Sequence, residues 1–427
     1  MLPLRISFRK NAIAENERGV ALLAGVMIVF FLSLMIGAAL LRSQMLLKEV
    51  DQRIDSHYAF YCAEAGLDRA LFELRRNSNW RPGPGEQGVS ITINQGGNPV
   101  TLGTYSLSAQ DGGVFQNWDT VWVRSIGYEA GGLTPRTLVA RIIVANPAKF
   151  LVLTLGSLHI VSGASVDFDI FGQDIYFDVN ETLPSPQKDI NVNGDVYYIR
   201  SVNGDRNPAV KFGTGSSTIN SPSITFAGVD LNRYRTLAQN LTSTGEGLYD
   251  PDALSVDLDS YSSTSPAPKI IFAEGDISVH GDYPNSLIIV SGGDIILDGD
   301  IGANSTETGP LRPQLGLLAQ KDVTIPATTA TGTDMNLEAF VMANGGSGSQ
   351  GNFIAQGSPR TKGSLNFSGA IAVRGAGRTG VDMNAFQQRN YNFNSQLSAN
   401  NSIPFSPFIA NIVLWNEVEP TDPFPPP

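Results

Sequence analysis

From Val20 to Leu41 the sequence reads VALLAGVMIVFFLSLMIGAALL, about 22 residues without a charge, close to the ~20 an α-helix needs to cross a bilayer core. The stretch predicts a membrane-spanning segment. A cleaved secretory signal is the alternative, but its apolar run covers only about 7–15 residues and ends at a small-residue cleavage site. Residues 1–19 carry Arg5, Arg9, Lys10 and Arg18 against Glu15 and Glu17, and read as a basic leader. By the positive-inside rule the N-terminus is expected on the cytoplasmic side of the inner membrane.

Beyond Leu41 the chain holds no proline until Pro82, and Leu47, Val50, Ile54, Tyr58, Tyr61 and Ala65 recur at three- and four-residue steps. That is helical spacing, so residues 42–81 are expected to extend the spanning segment as an amphipathic helix. From Val20 to Arg76 such a helix would have about 57 residues and a length of roughly 85 Å. Asn77, Ser78, Asn79 and then Pro82 supply the stop. Ala59, Ala63, Gly66 and Ala70 form a small-residue stripe along it, suited to close packing against a folded head or a neighbouring helix. The single cysteine, Cys62, reads as one more small residue of that stripe.

The segment ERGVALLAGVMIVFFLSLMIGAALLRSQ, followed by AFYCAEAGLDRAL, resembles the N-terminal domain of PilX-type minor pilins and the related K-type minor pseudopilins of type II secretion. The resemblance covers roughly Glu17 to Leu74. It implies a prepilin peptidase cleaving after Gly19, with Val20 as the first mature residue, and association with other pilins in a filament. Most major pilins resemble one another in a Glu at the fifth mature position; here that residue is Ala24. Within the family its absence implies a subunit at the filament tip.

Between residues 82 and 147 the period changes to alternation. VSITIN from Val89, TYSLSAQ from Thr104, VWVRSIGYE from Val121 and RTLVARIIVAN from Arg136 read as strands separated by turn residues. Packed on the helix, they predict an α+β pilin-like head with an antiparallel meander. Residues 148–427 repeat short β-branched segments behind Gly-Asp or Gly-Ser turns, as in GDISVHG from Gly275 and GGDIILDG from Gly292. A mainly-β outer domain is expected, a β-solenoid on this reading, with a β-sandwich as the alternative. Residues 229–269 read as an inserted short helix and loop. Trp415, near the end, is expected to cap the solenoid.

Composition narrows the functions. Charged residues make up 16% of the 427, against 44 Gly and 25 Pro, and the formal net charge is −11. An acidic chain without a basic cluster is not expected to bind nucleic acid. One cysteine excludes an intramolecular disulfide framework, and three scattered histidines leave little for a metal centre. Asp189, Asn191 and Asn193 match the start of a calcium loop, but the twelfth position is Arg200 where a Glu is required, and an Asn-Gly strand turn is the stronger reading. Gly346, Gly348 and Gly351 satisfy a phosphate-loop spacing within low-complexity sequence, which reads as a plain loop. No cofactor is expected. The chain is therefore read as a non-enzymatic minor pilin-like structural protein. Its alternatives are a pilus-mounted adhesin for surface glycans and a membrane-anchored polysaccharide-active enzyme.

Overall fold

The computed structural model describes residues 11–424, apart from 116–117, 133, 225–228, 264–265, 305–311, 331, 346–349, 376–379, 399–402, 405–406, 408, 420–421 and 423. The first ten leader residues, and Gly346 and Gly348 of the Gly-rich loop, lie outside the described residues.

A helix, α1 (Asn11–Arg76), opens the chain. It is already helical at Asn11, the first described residue, and so extends upstream of Val20, where the apolar stretch begins. Residues 11–19, NAIAENERG, hold Ala, Glu and Arg and no proline, so their propensity lets the helix continue upstream of the apolar run. Arg75 and Arg76 occupy its last turn, where cations complement the exposed carbonyls. The Asn77 amide closes the end by donating to the Glu73 carbonyl at 2.9 Å.

Above α1 lies a five-stranded antiparallel sheet. Its first four strands are β1 (Val89–Gln95), β2 (Asn98–Phe115), β3 (Trp118–Glu129) and β4 (Arg136–Ala145). The fifth comes from the other end of the chain and pairs with β4, Trp415 standing opposite Ala140. The outer domain is thus inserted between β4 and a C-terminal strand. This corrects the expectation that residues 148–427 form one outer unit and that Trp415 caps it. FIANIVLWNEV alternates like any strand, and no sequence signal names its partner. Arg136 ties the sheet to the helix, with Nη1 donating to Ser56 Oγ at 2.6 Å and Nη2 to Glu417 Oε2 at 2.6 Å.

The outer domain is a 21-stranded sheet whose ladders are all parallel. Its first run is β5 (Val152–Thr154), β6 (Ser157–Val161), β7 (Ala164–Val166), β8 (Ile170–Asp178), β9 (Ile190–Val192), β10 (Val196–Asn203), β11 (Val210–Phe212) and β12 (Thr218–Asn220). Then comes a helix, α2 (Leu231–Thr242), N-capped by the Asp230 carboxylate. The second run is β13 (Gly247–Asp250), β14 (Leu254–Asp257), β15 (Ile270–Ala273), β16 (Ile277–Tyr283), β17 (Leu287–Ser291), β18 (Ile295–Ala303), β19 (Leu315–Ala319) and β20 (Val323–Ile325). It continues through β21 (Met335–Ala343), β22 (Phe353–Ala355), β23 (Lys362–Val373), β24 (Val381–Asp382) and β25 (Phe386–Phe393). The head strand β26 (Ile409–Val418) follows.

Pairing does not follow chain order. One inward column runs Leu248, Ile271, Ile289, Leu317, Val341, Ile371, Val152, Ile170, Val196, each opposite the next in register. The chain therefore enters the stack in its middle at β5 and runs out to β12. Residues 221–246, including α2, carry it to the opposite end, and the second run returns until β23 docks on β5. This corrects the reading of 229–269 as helix and loop alone, since β13 and β14 already belong to the second run. Their sequences, GLYD and LSVD, are too short and acidic to stand out from a loop.

Strands on one side of the stack are buried on both faces. Ile289 and Ile271 point into the inner core, while Ile288, Val290 and Phe272 meet a second cluster with Tyr234 of α2, Phe150 and Trp118. Two-sided burial is why LIIVS and IIFA read as continuous apolar runs, whereas β20 and β22, half-covered, alternate. Trp118 joins head to outer domain. Its ring lies 5.1 Å from Phe150 and 6.0 Å from Phe171, and its Nε1 donates to Ser221 Oγ at 3.2 Å.

Candidate functional site

Two environments follow each other along α1. From Leu22 to Leu47 its apolar side chains touch nothing else in the chain, with Phe30 57% and Met35 69% exposed. Ala24 lies on this uncovered part, and Gly25 and Gly37 have open space where a Cβ would stand. It is long and apolar enough to cross a membrane, alone in this among the described residues. Gly19 and Val20 fall inside the helix, so the bond between them is helical.

From Ala59 onward one face is covered by the head. Ala59, Ala63, Gly66 and Ala70 are all buried there, together with Cys62, Leu67 and Leu74. Small residues are required on both sides of this contact. A Cβ on Gly127 of β3 would run into the Ala59 carbonyl and the Ala63 amide. One on Gly66 would strike Ser125 Oγ and come within 3.1 Å of the Tyr105 ring. Backbone meets backbone, which only glycine permits at such an approach. Burial, and then the nearby Glu129 carboxylate, push the Cys62 thiol up from its ordinary pKa, opposite to what a nucleophilic thiolate needs. The outer face of the same segment is open and mixed, with Tyr58, Tyr61 and Phe72 exposed beside Glu64, Asp68, Arg69 and Arg76. Gly127 and Gly103 of the head were not singled out from sequence; a Gly inside an alternating strand is the signal that would have found them.

The calcium candidates do not converge. Asp189 Oδ2 sits 2.5 Å from Lys211 Nζ and accepts from Ser185 Oγ at 3.0 Å, while Asn193 Nδ2 donates to Asp167 Oδ1 at 3.2 Å. The lysine contact holds the Asp189 carboxyl below the usual carboxylate range. Asn191 stands in β9 between Ser165 and Lys211 of the flanking strands. Among the described residues no group of His, Cys, Asp or Glu is placed to hold a metal ion.

No family model matches the chain, and no curated protein matches it. Two solved structures do. The competence-associated pilin ComZ from Thermus thermophilus is 12% identical, the match covering 85% of this chain and 97% of that one, at a TM-score of 0.28. An ice binding protein from an Antarctic Biological Consortium is 10% identical over 58% of this chain and 86% of that one, at a TM-score of 0.24. At such low TM-scores neither likeness assigns a function to this chain.

Proposed function

We propose that the chain is a minor pilin-like structural subunit, resembling the PilX-type proteins, that enters a type IV pilus or related secretion filament. The observation that carries this reading is the division of α1. Its lower part buries nothing against its own chain, and its upper part is locked under a folded head. A simple anchor needs only the first. In the proposed cycle the apolar part sits in the inner membrane with the N-terminus cytoplasmic. Prepilin peptidase removes residues 1–19, and burial against the helices of other pilins then replaces burial in lipid. The scissile bond after Gly19 lies within the helix, so the first turns unwind for cleavage; Gly19, a poor helix former, lowers that cost. Ala24, in place of a Glu that would pair with a subunit above, suits a place at the tip.

The outer domain is read as a β-solenoid, because its ladders are parallel and its inward columns continuous, whereas a sandwich is built from antiparallel pairs. In this reading it is displayed beyond the filament and performs no catalysis. N-terminal sequencing of the membrane-extracted protein, with and without a prepilin peptidase, tests the proposal. Val20 as first residue only when the peptidase is present is the expected result, and retention of residues 1–19 in both samples would refute it.

A further inference from the structure

The two runs of the outer domain meet along a seam that is closed on two sides and open on the third. Ile371–Val373 of β23 pair with Val152–Thr154 of β5, and Arg389–Tyr391 of β25 pair with Ala164–Val166 of β7. On the third side β24 and β6 lie next to each other, but β24 is in register with β22 and β6 with β8. Between them opens a cavity of about 670 Å³, within the ~300–1,000 Å³ usual for small-molecule sites. Leu158, Ile160, Val166 and Ile170 form an apolar floor.

Arg389 is the unusual member of its wall. The side chain is 2% exposed, and among the described residues no carboxylate forms an ion pair with it. Its Nη1 donates to the Met383 carbonyl at 3.3 Å and its Nη2 to the Ser162 carbonyl, but Nε has no partner. Arg360 donates to the same Ser162 carbonyl at 3.1 Å, so two guanidinium groups converge on this turn. Burial lowers the Arg389 pKa from its ordinary value, with the nearby Asp382 carboxylate acting against that shift.

A purely structural buried cation looks different, and the same domain provides one. Lys362, fully buried, donates to the carbonyls of Pro326, Ala327 and Thr329, which match the donors of an ammonium one for one. Arg389, which lines the cavity, keeps one buried donor, Nε, without a partner.

The remaining polar groups accept from hydroxyls or stack. Asp382 and Asp178 line the cavity. His159 is held by Asp178, Nδ1 to Oδ2 2.5 Å, stacks on Tyr176 at 4.6 Å, and leaves its Nε2 without a partner. We propose that the seam cavity binds one polyhydroxylated carboxylate of monosaccharide size, a hexuronate, with its carboxylate on Arg389 and its hydroxyls toward Asp382 and His159. The carboxylate would supply Arg389 with the ion pair it lacks, and the hydroxyls would use the acceptor capacity left on Asp382 and His159 beyond their bonds with the Asn384 amide and Asp178. The site does not depend on how the chain is anchored or on filament assembly.

Calorimetric titration of the full chain, in a detergent without a sugar headgroup, tests this with sodium glucuronate, glucose and sodium acetate as probes. Glucuronate is expected to bind, and glucose and acetate to bind at least about tenfold more weakly. Arg389→Gln is expected to lose about tenfold or more, and Asp382→Asn and His159→Phe at the mouth about threefold each. No heat with glucuronate at about 10 mM, equal affinity for glucose, or an Arg389→Gln protein that folds and binds like the parent would overturn the proposal. Should Arg389→Gln fail to fold, the two mouth variants decide, and unchanged affinity in both overturns it.

Discussion

The lower part of α1 and the inner-side strands of the outer domain are equally apolar, yet only one is covered by its own chain. LIIVS, LGLLA and AFVMA are interrupted every few residues by Gly, Asp or Asn, so the chain turns and stacks the next segment on the last. Between Val20 and Leu41 there is no Asp, Asn or Pro, and only two isolated glycines, Gly25 and Gly37, which the helix carries without a break. The helix cannot fold back on itself, and its apolar surface must be met by lipid or by another molecule. Continuous hydrophobicity alone does not say what covers a segment; the spacing of turn residues does.

The sharpest way to break this comparison is to place one charge in each region. Ile289→Asp puts an unpaired carboxylate in a fully buried column, and is expected to cost more than about 5 kcal/mol and abolish the cooperative unfolding of the outer domain, followed by circular dichroism. A variant that melts like the parent would show the column is not the core. Next in size is the junction between the two parts of α1. Gly127→Val drives a side chain into the Ala59 and Ala63 backbone, and should destabilise the head by about 3 kcal/mol or more in urea titration. Gly25→Val, with open space around it, should leave the head unchanged.

The head was legible from sequence because its strands are consecutive and alternate, and α1 because its period persists without a breaker. The return of β26 to β4, and the entry of β5 into the middle of the stack, were not. The first is an antiparallel and the second a parallel pairing, but both join segments distant in the chain, and alternation in FIANIVLWNEV or VLT specifies a face but no partner. Irregular intervals, from Ile270 to Ile288 and from Phe340 to Ala370 in one column, removed the fixed repeat that would have revealed the order. Arg389 and Lys362 were invisible for another reason. A cation in FQQRNYNF or TKGSLNF looks like any surface charge until the fold shows that it is enclosed.

Leu32→Asp is the counterpart of Ile289→Asp on the uncovered helix. Its expected cost is about 3 kcal/mol in membrane insertion, read from the fraction of protein extracted by carbonate, while the melting of the head and outer domain stays at the parent value. The smallest effect concerns how α2 is held. Arg235 makes a two-pronged ion pair with Glu274, to which the Tyr249 hydroxyl also donates at 3.3 Å. The arginine holds the Glu274 carboxyl below the usual range. A carboxyl whose folded pKa is depressed adds stability above its unfolded value of about 4.3 and loses it as pH falls through the lower folded value. The difference in urea midpoint between the parent and Glu274→Gln should therefore be present at neutral pH and shrink in that acidic window. A difference independent of pH would assign the residue a packing role.

The central claim is that the uncovered part of α1 is buried by other pilin subunits after it leaves the membrane. It is tested most directly by shearing filaments from cells and identifying this chain and its N-terminus in the sheared fraction by mass spectrometry. The account predicts the chain in that fraction, beginning at Val20. A chain found only in the membrane, still carrying residues 1–19, would contradict it.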